Sequence, residues 1–155
     1  MNYWFFHQLA QVKLTGAETG GALGVVEVTS PGGPAAPLHV HEREAETFCV
    51  LEGELTLFVG EQVVRASAGD VVYAPAGVPH TYNVDSPLAR ILVISSPAGF
   101  EEFVAAVGVP ADRPEPPSEP VPVDPERLGA IAAAHGIEIL GPPMPATGRL
   151  AAAQL

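Results

Sequence analysis

The sequence predicts an all-β fold, a sandwich or a barrel. Short β-type runs fill the chain from its start to about Pro97, and Gly and Pro punctuate them at regular intervals. Helical periodicity enters only after Ser95. HQLAQVKLT alternates weakly and reads as a first strand, with His7 at its start; GAETGG reads as a turn. ALGVVEVTS is a Val-rich strand, and PGGPAAP is a loop. LHVH ends one strand, EREA turns the chain, and ETFCVLEG begins the next. ELTLFVG, EQVVRASAGD, VVYAPAGVPH, TYNVDSPLA and RILVISS follow in the same style.

After Ser95, Phe100, Phe103, Val104 and Val107 share one helical face, with Ser96 as N-cap, Pro97 just inside and Gly108 just past the end. Residues 1–108 are therefore expected to form the β unit and its following helix. Residues 109–125 are Pro-rich and acidic, which suits an extended linker. Residues 126–155 are expected to give a second helix, opened by Asp124 and Pro125 and stopped by Gly136, then a short strand in IEIL and a frayed end. This tail is expected to pack on the barrel or on a partner copy.

Composition narrows the function. A chain of 155 residues with 47% apolar and 16% charged residues suits one compact domain. A net charge of −11 without a basic stripe argues against nucleic acid and anionic membranes. No apolar run approaches a membrane span, and the aromatic start lacks the basic region of a signal peptide, so a soluble, cytoplasmic protein is expected. Cys49 is the only cysteine, which excludes an intrachain disulfide and a thiolate zinc cluster. Lys13 is the only lysine, and a place on an exposed strand does not suit Schiff-base chemistry. There is no phosphate-binding Gly-rich loop and no G-x-S-x-G elbow.

The histidines carry the chemistry. On a strand, alternate residues face the same way, so His39 and His41 project together. Glu46 lies five residues on, an odd interval, and joins them only if EREA turns the chain. His80 begins a later strand after the turn residues Pro75 and Gly77, and Tyr82 shares its phase. Three neutral imidazoles and one carboxylate suit a divalent first-row ion such as iron, manganese, cobalt, nickel, copper or zinc, with positions left for a substrate. Phe48 and Val50 share the phase of Glu46 and are expected beside Tyr82 along the interior, as core filling or as the walls of a substrate pocket. The competing account makes His39 and His41 surface residues of a Pro-rich loop. Glu42 and Glu44 are expected in a solvated turn, Glu52 and Glu54 in a hairpin, Cys49 as a buried thiol and His135 at a helix end. NYWFF is expected to pack or to contact a second copy.

Two stretches resemble the paired motifs of the cupin superfamily. Gly33, His39, His41, Glu46 and Gly53 match every position of G-x5-H-x-H-x4-E-x6-G. Gly69, Pro75, Gly77 and His80 match G-x5-P-x-G-x2-H-x3-N, whose final Asn falls here on Val84, with Asn83 one place early. The resemblance covers about residues 20–97 and implies a jelly-roll barrel, often dimeric, with a metal held by His39, His41, Glu46 and His80 near one mouth. The chain further resembles bacterial single-barrel proteins described as quercetin dioxygenase-like. That likeness implies a metal-dependent dioxygenase acting on a flavonol-like or other enolisable phenol, with a substrate oxygen at the metal, dioxygen as co-substrate and Glu46 as ligand or general base. A non-redox isomerase, cyclase or lyase would use the same ligands, and so would a binding protein without turnover. Few cations accompany the barrel (Arg43, Arg65 and Arg90), which disfavours phosphorylated substrates.

Overall fold

The computed structural model describes residues 1–143. Its strands are β1 (Asn2–Phe5), β2 (Gln8–Leu14), β3 (Gly24–Pro34), β4 (Leu38–His41), β5 (Ala45–Glu52), β6 (Glu54–Val59), β7 (Gln62–Ser67), β8 (Val71–Ala74), β9 (His80–Ser96), β10 (Val109–Pro110) and β11 (Ile137–Gly141). Helices α1 (Gly16–Thr19), α2 (Phe100–Val107) and α3 (Pro125–Ala134) complete the described chain. The expected frayed end lies outside the described residues.

All strand pairs are antiparallel, and β9 organises them. Its C-terminal half lies between β3 and β5, as in Val26↔Val93 and Phe48↔Val93. Its N-terminal half pairs with β6 on one side and meets β4 at His39↔His80 on the other. One layer therefore runs β10-β1-β2-β3-β9-β5-β8, and the facing layer runs β11-β4-β9-β6-β7. This is the jelly-roll sandwich expected from the sequence. Val26, Val28, Phe48, Val50, Ile91 and Val93 of the first layer pack against Leu55, Leu57, Tyr82 and Val84 of the second. Each large apolar side chain buried this way contributes about 1.5–3 kcal/mol. A one-residue slip would expose the whole set, so alternation fixes the register.

The chain passes from one layer to the other between β5 and β6, at Gly53. Gly53 has φ +91°, and a Cβ there would collide with the Leu88 carbonyl at the bend of β9. Ser86 secures that bend: its Oγ accepts from Glu54 N at 2.9 Å and donates to Leu88 O at 2.8 Å.

Several local expectations are corrected. GAETGG is one helical turn, because Thr15 and Glu18 form a reciprocal capping box. Ser96 does not cap α2. Pairing of β9 continues through Ser96↔Ala45, which holds the backbone extended there, and Gly99 precedes the helix instead. His7 lies in the turn between β1 and β2, half-buried rather than in a strand, and burial lowers its pKa. Cys49 is half-buried, since it faces outward from β5.

The C-terminal segment returns to the barrel. Asp124 caps α3 by accepting from Arg127 N at 3.0 Å, and β11 pairs with β4 through Ile137↔His41 and Ile139↔His39. Between α2 and α3 the Pro-rich stretch is tied to β1: Trp4 Nε1 donates to Glu115 O at 2.9 Å, and the Arg113 guanidinium lies 4.8 Å from the Trp4 ring centroid.

Candidate metal centre

Strand pairing brings the three histidines to one layer and Glu46 to the other. His39 and His41 alternate on β4, and His80 lies opposite His39 at the start of β9. Glu46 projects from β5 in the facing layer, opposite Ser95 of β9 and Ala74 of β8. The turn 42–44 therefore does more than reverse phase; it carries the chain across the sandwich. One donor atom from each of the four side chains lies within 4.8 Å of all the others.

Hydrogen bonds fix how the rings present themselves. His39 Nδ1 lies 2.7 Å from Pro37 O, and His80 Nδ1 lies 3.1 Å from Val78 O. A carbonyl oxygen only accepts, so both Nδ1 atoms carry hydrogen and a neutral ring keeps its Nε2 lone pair free. His41 Nδ1 meets Glu44 Oε1 at 2.9 Å. Glu44 is only 4% exposed, which corrects its expected place in solvent; Glu42 is exposed as expected. The buried carboxylate of Glu44 holds His41 in the same orientation, a supporting arrangement typical of ligating histidines.

The inward atoms then face one another without enough hydrogens between them. His80 Nε2 stands 2.8 Å from Glu46 Oε2. His41 Nε2 and Glu46 Oε1 are 3.4 Å apart, close enough for charge attraction but not aligned as a hydrogen bond, and both are buried without a partner. Such orphaned atoms are costly unless a cation or proton serves them. Donor atoms facing each other across an ion at metal–ligand bonds of about 2.0–2.2 Å are about 4.0–4.4 Å apart, so the set closes on a divalent ion with small shifts.

Electrostatics match that donor set. Burial, helped by the neighbouring rings of His80 and His41, holds His39 down to about 3 and hence neutral. Burial pushes the Glu46 carboxyl up, but the charge of His41 and the close approach of His80 outweigh it, and the group sits at about 2, ionised. Burial likewise pushes His41 down, but Glu46 and Glu44 win and raise it. The two carboxylates thus draw positive charge into the site.

A cavity with about 50 Å³ free opens beside His39, His41 and Glu46. Phe48 and Tyr82 line it, and Val50 fills the core, the other of the two places expected for these residues. Most of the wall was not anticipated. Phe5 and Phe6 come from NYWFF, Phe100 and Phe103 from α2, Leu128 from α3, and Ile137 and Ile139 from β11. Gln8 of β2 adds a polar group.

The Cupin domain family matches residues 25–95, which span β3 to nearly the end of β9 and include all four residues. Residues 25–95 are thus a Cupin domain. It is similar to quercetin 2,3-dioxygenase of Bacillus subtilis, 32% identical over 145 residues, covering 93% of this chain and 43% of that protein. Quercetin 2,3-dioxygenase of Aspergillus japonicus is 26% identical over 111 residues, covering 67% of this chain and 32% of that one. The chain thus spans less than half the length of these relatives. Among solved structures, KdgF from Halomonas sp. superposes with a TM-score of 0.56 at 21% identity, covering 62% of this chain and 84% of that chain, a likeness of fold.

Proposed function

We propose that this protein is a metal-dependent dioxygenase acting on an enolisable phenol, flavonol-like in chemistry, with His39, His41, Glu46 and His80 holding one divalent first-row ion. The observation that carries the reading is the pair of orphaned buried atoms, His41 Nε2 and Glu46 Oε1, at the meeting point of three oriented rings. The similarity to two quercetin 2,3-dioxygenases supports the choice of reaction. A redox-active ion would supply Lewis acidity and electron exchange with dioxygen.

The protein's own groups supply the rest. Glu46 accepts the proton of a bound enol or phenol hydroxyl at Oε1, the oxygen without a hydrogen bond. Phe48, Phe5, Phe6 and Phe100 present apolar faces to a flat ring and exclude water. The free volume of about 50 Å³ is a third of the roughly 150 Å³ that holds benzene, so a flavonol needs the aromatic wall to part. That size favours a second reading, non-redox conversion of a smaller enolisable compound at the same centre.

Oxygen consumption by metal-loaded protein on a panel of flavonols and small enolisable phenols separates the two: uptake supports the dioxygenase, and conversion without uptake supports the non-redox enzyme. In Glu46→Gln, turnover is expected to fall about 10²- to 10⁴-fold, the range for loss of a general base. A variant that keeps its ion and full turnover removes Glu46 from that role.

We further propose a homodimer. Val71 and Tyr73 are 63% and 59% exposed on β8, a strand at the edge of its layer, and a second copy would cover them. Sedimentation velocity should give the mass of two chains; a lone chain at tens of micromolar contradicts the pairing.

A further inference from the structure

Two polar side chains meet across the cavity, Gln8 from β2 in one layer and Tyr82 from β9 in the other, and they are 2% and 6% exposed. Gln8 Nε2 lies 3.3 Å from Ala35 O, 3.3 Å from Ser30 Oγ and 2.9 Å from Tyr82 Oη. The Ala35 carbonyl can only accept, so the amide nitrogen, not the amide oxygen, belongs at this position. Ser30 Oγ directs its own hydrogen to Pro31 O at 3.2 Å. The amide nitrogen has two hydrogens and cannot accept, so the short 2.9 Å contact to Tyr82 Oη takes one of them, with the phenol oxygen accepting, and the two 3.3 Å contacts to Ala35 O and Ser30 Oγ share the other. A phenol that accepts from Gln8 has its own O–H turned elsewhere, and among the described residues it donates to none. Both residues line the cavity, as does Phe48, whose ring centroid lies 5.9 Å from that of Tyr82 and 5.9 Å from that of His80.

We propose that Tyr82 is a specificity-determining hydrogen-bond donor, oriented by Gln8, for a second acceptor oxygen of the bound ligand. The ligand class follows from the layout. It is an aromatic molecule with one acidic hydroxyl for the Glu46 end and a carbonyl or ether oxygen for Tyr82. This rests on the proposal that the cavity beside the cluster binds phenols, but it does not require turnover or dioxygen.

The test uses the metal-loaded full chain and four probes: phenol and its 2-, 3- and 4-methoxy derivatives. Their affinities are measured by calorimetry for wild type and Tyr82→Phe, with metal content recorded for each. At least one methoxyphenol should bind wild type about tenfold more tightly than phenol, as a net hydrogen bond allows. Tyr82→Phe should erase that advantage, bringing the ratio of methoxyphenol to phenol affinity to about one at equal metal content. Gln8→Leu, which frees the phenol to turn, should reduce the advantage without abolishing phenol binding. The proposal is overturned if no methoxy isomer gains over phenol, or if the gain survives in Tyr82→Phe. Oxygen uptake with flavonols reports on the dioxygenase reading separately, so that reading can fail while the Tyr82 result stands.

Discussion

Replacing His80 with alanine is expected to take bound metal from about one ion per chain to near zero. His80 is the one ligand candidate that belongs to the second motif, and its Nε2 makes the shortest contact in the cluster, 2.8 Å to Glu46 Oε2. Loss of a merely supporting partner weakens metal sites about 10- to 100-fold, so loss of a direct ligand should exceed 100-fold. The substitution also strands a buried carboxylate oxygen, and breaking a buried pair costs about 3–5 kcal/mol. Metal-free stability therefore has to be measured beside metal content, and the readout is ions per folded chain. A folded His80→Ala protein that still binds one ion with wild-type affinity would remove His80 from the centre.

The second large effect is structural. Gly53→Ala should destabilise the fold by about 3 kcal/mol or more, because two costs coincide. The left-handed backbone at φ +91° costs a side-chain-bearing residue about 1–3 kcal/mol. The new Cβ also meets the Leu88 carbonyl and the Ala89 backbone, which cannot rotate away as a side-chain tip could. For a domain of this size, about 3 kcal/mol lowers the melting temperature by about 6–12 °C. A thermal melt within about 2 °C of wild type would show that the crossing from β5 to β6 tolerates a side chain. Because Glu46 lies on β5, metal affinity should fall with stability.

The β character, the C-terminal helix with its Asp124 cap, and the strand in IEIL were legible from alternation, turn residues and capping chemistry, which are local signals. The gathering of His39, His41, Glu46 and His80 was legible because the spacing of two motifs encodes it. What escaped was set by tertiary placement. Glu44 reads as a solvated turn residue, yet the return of β5 buries it against His41. Phe5, Phe6 and Gln8 sit in a segment whose pattern says only strand and turn; no local signal places them at a cavity shared with His39, Glu46 and Tyr82. The capping box Thr15-x-x-Glu18 was a readable signal for α1.

The central claim, that four side chains from two facing layers hold one ion, is tested most directly by anomalous diffraction from crystals of the protein purified without added chelator. One peak is expected, about 2.0–2.3 Å from His39 Nε2, His41 Nε2, His80 Nε2 and a Glu46 oxygen. A metal-replete crystal with no peak among these atoms, or with its ion bound elsewhere, would contradict it.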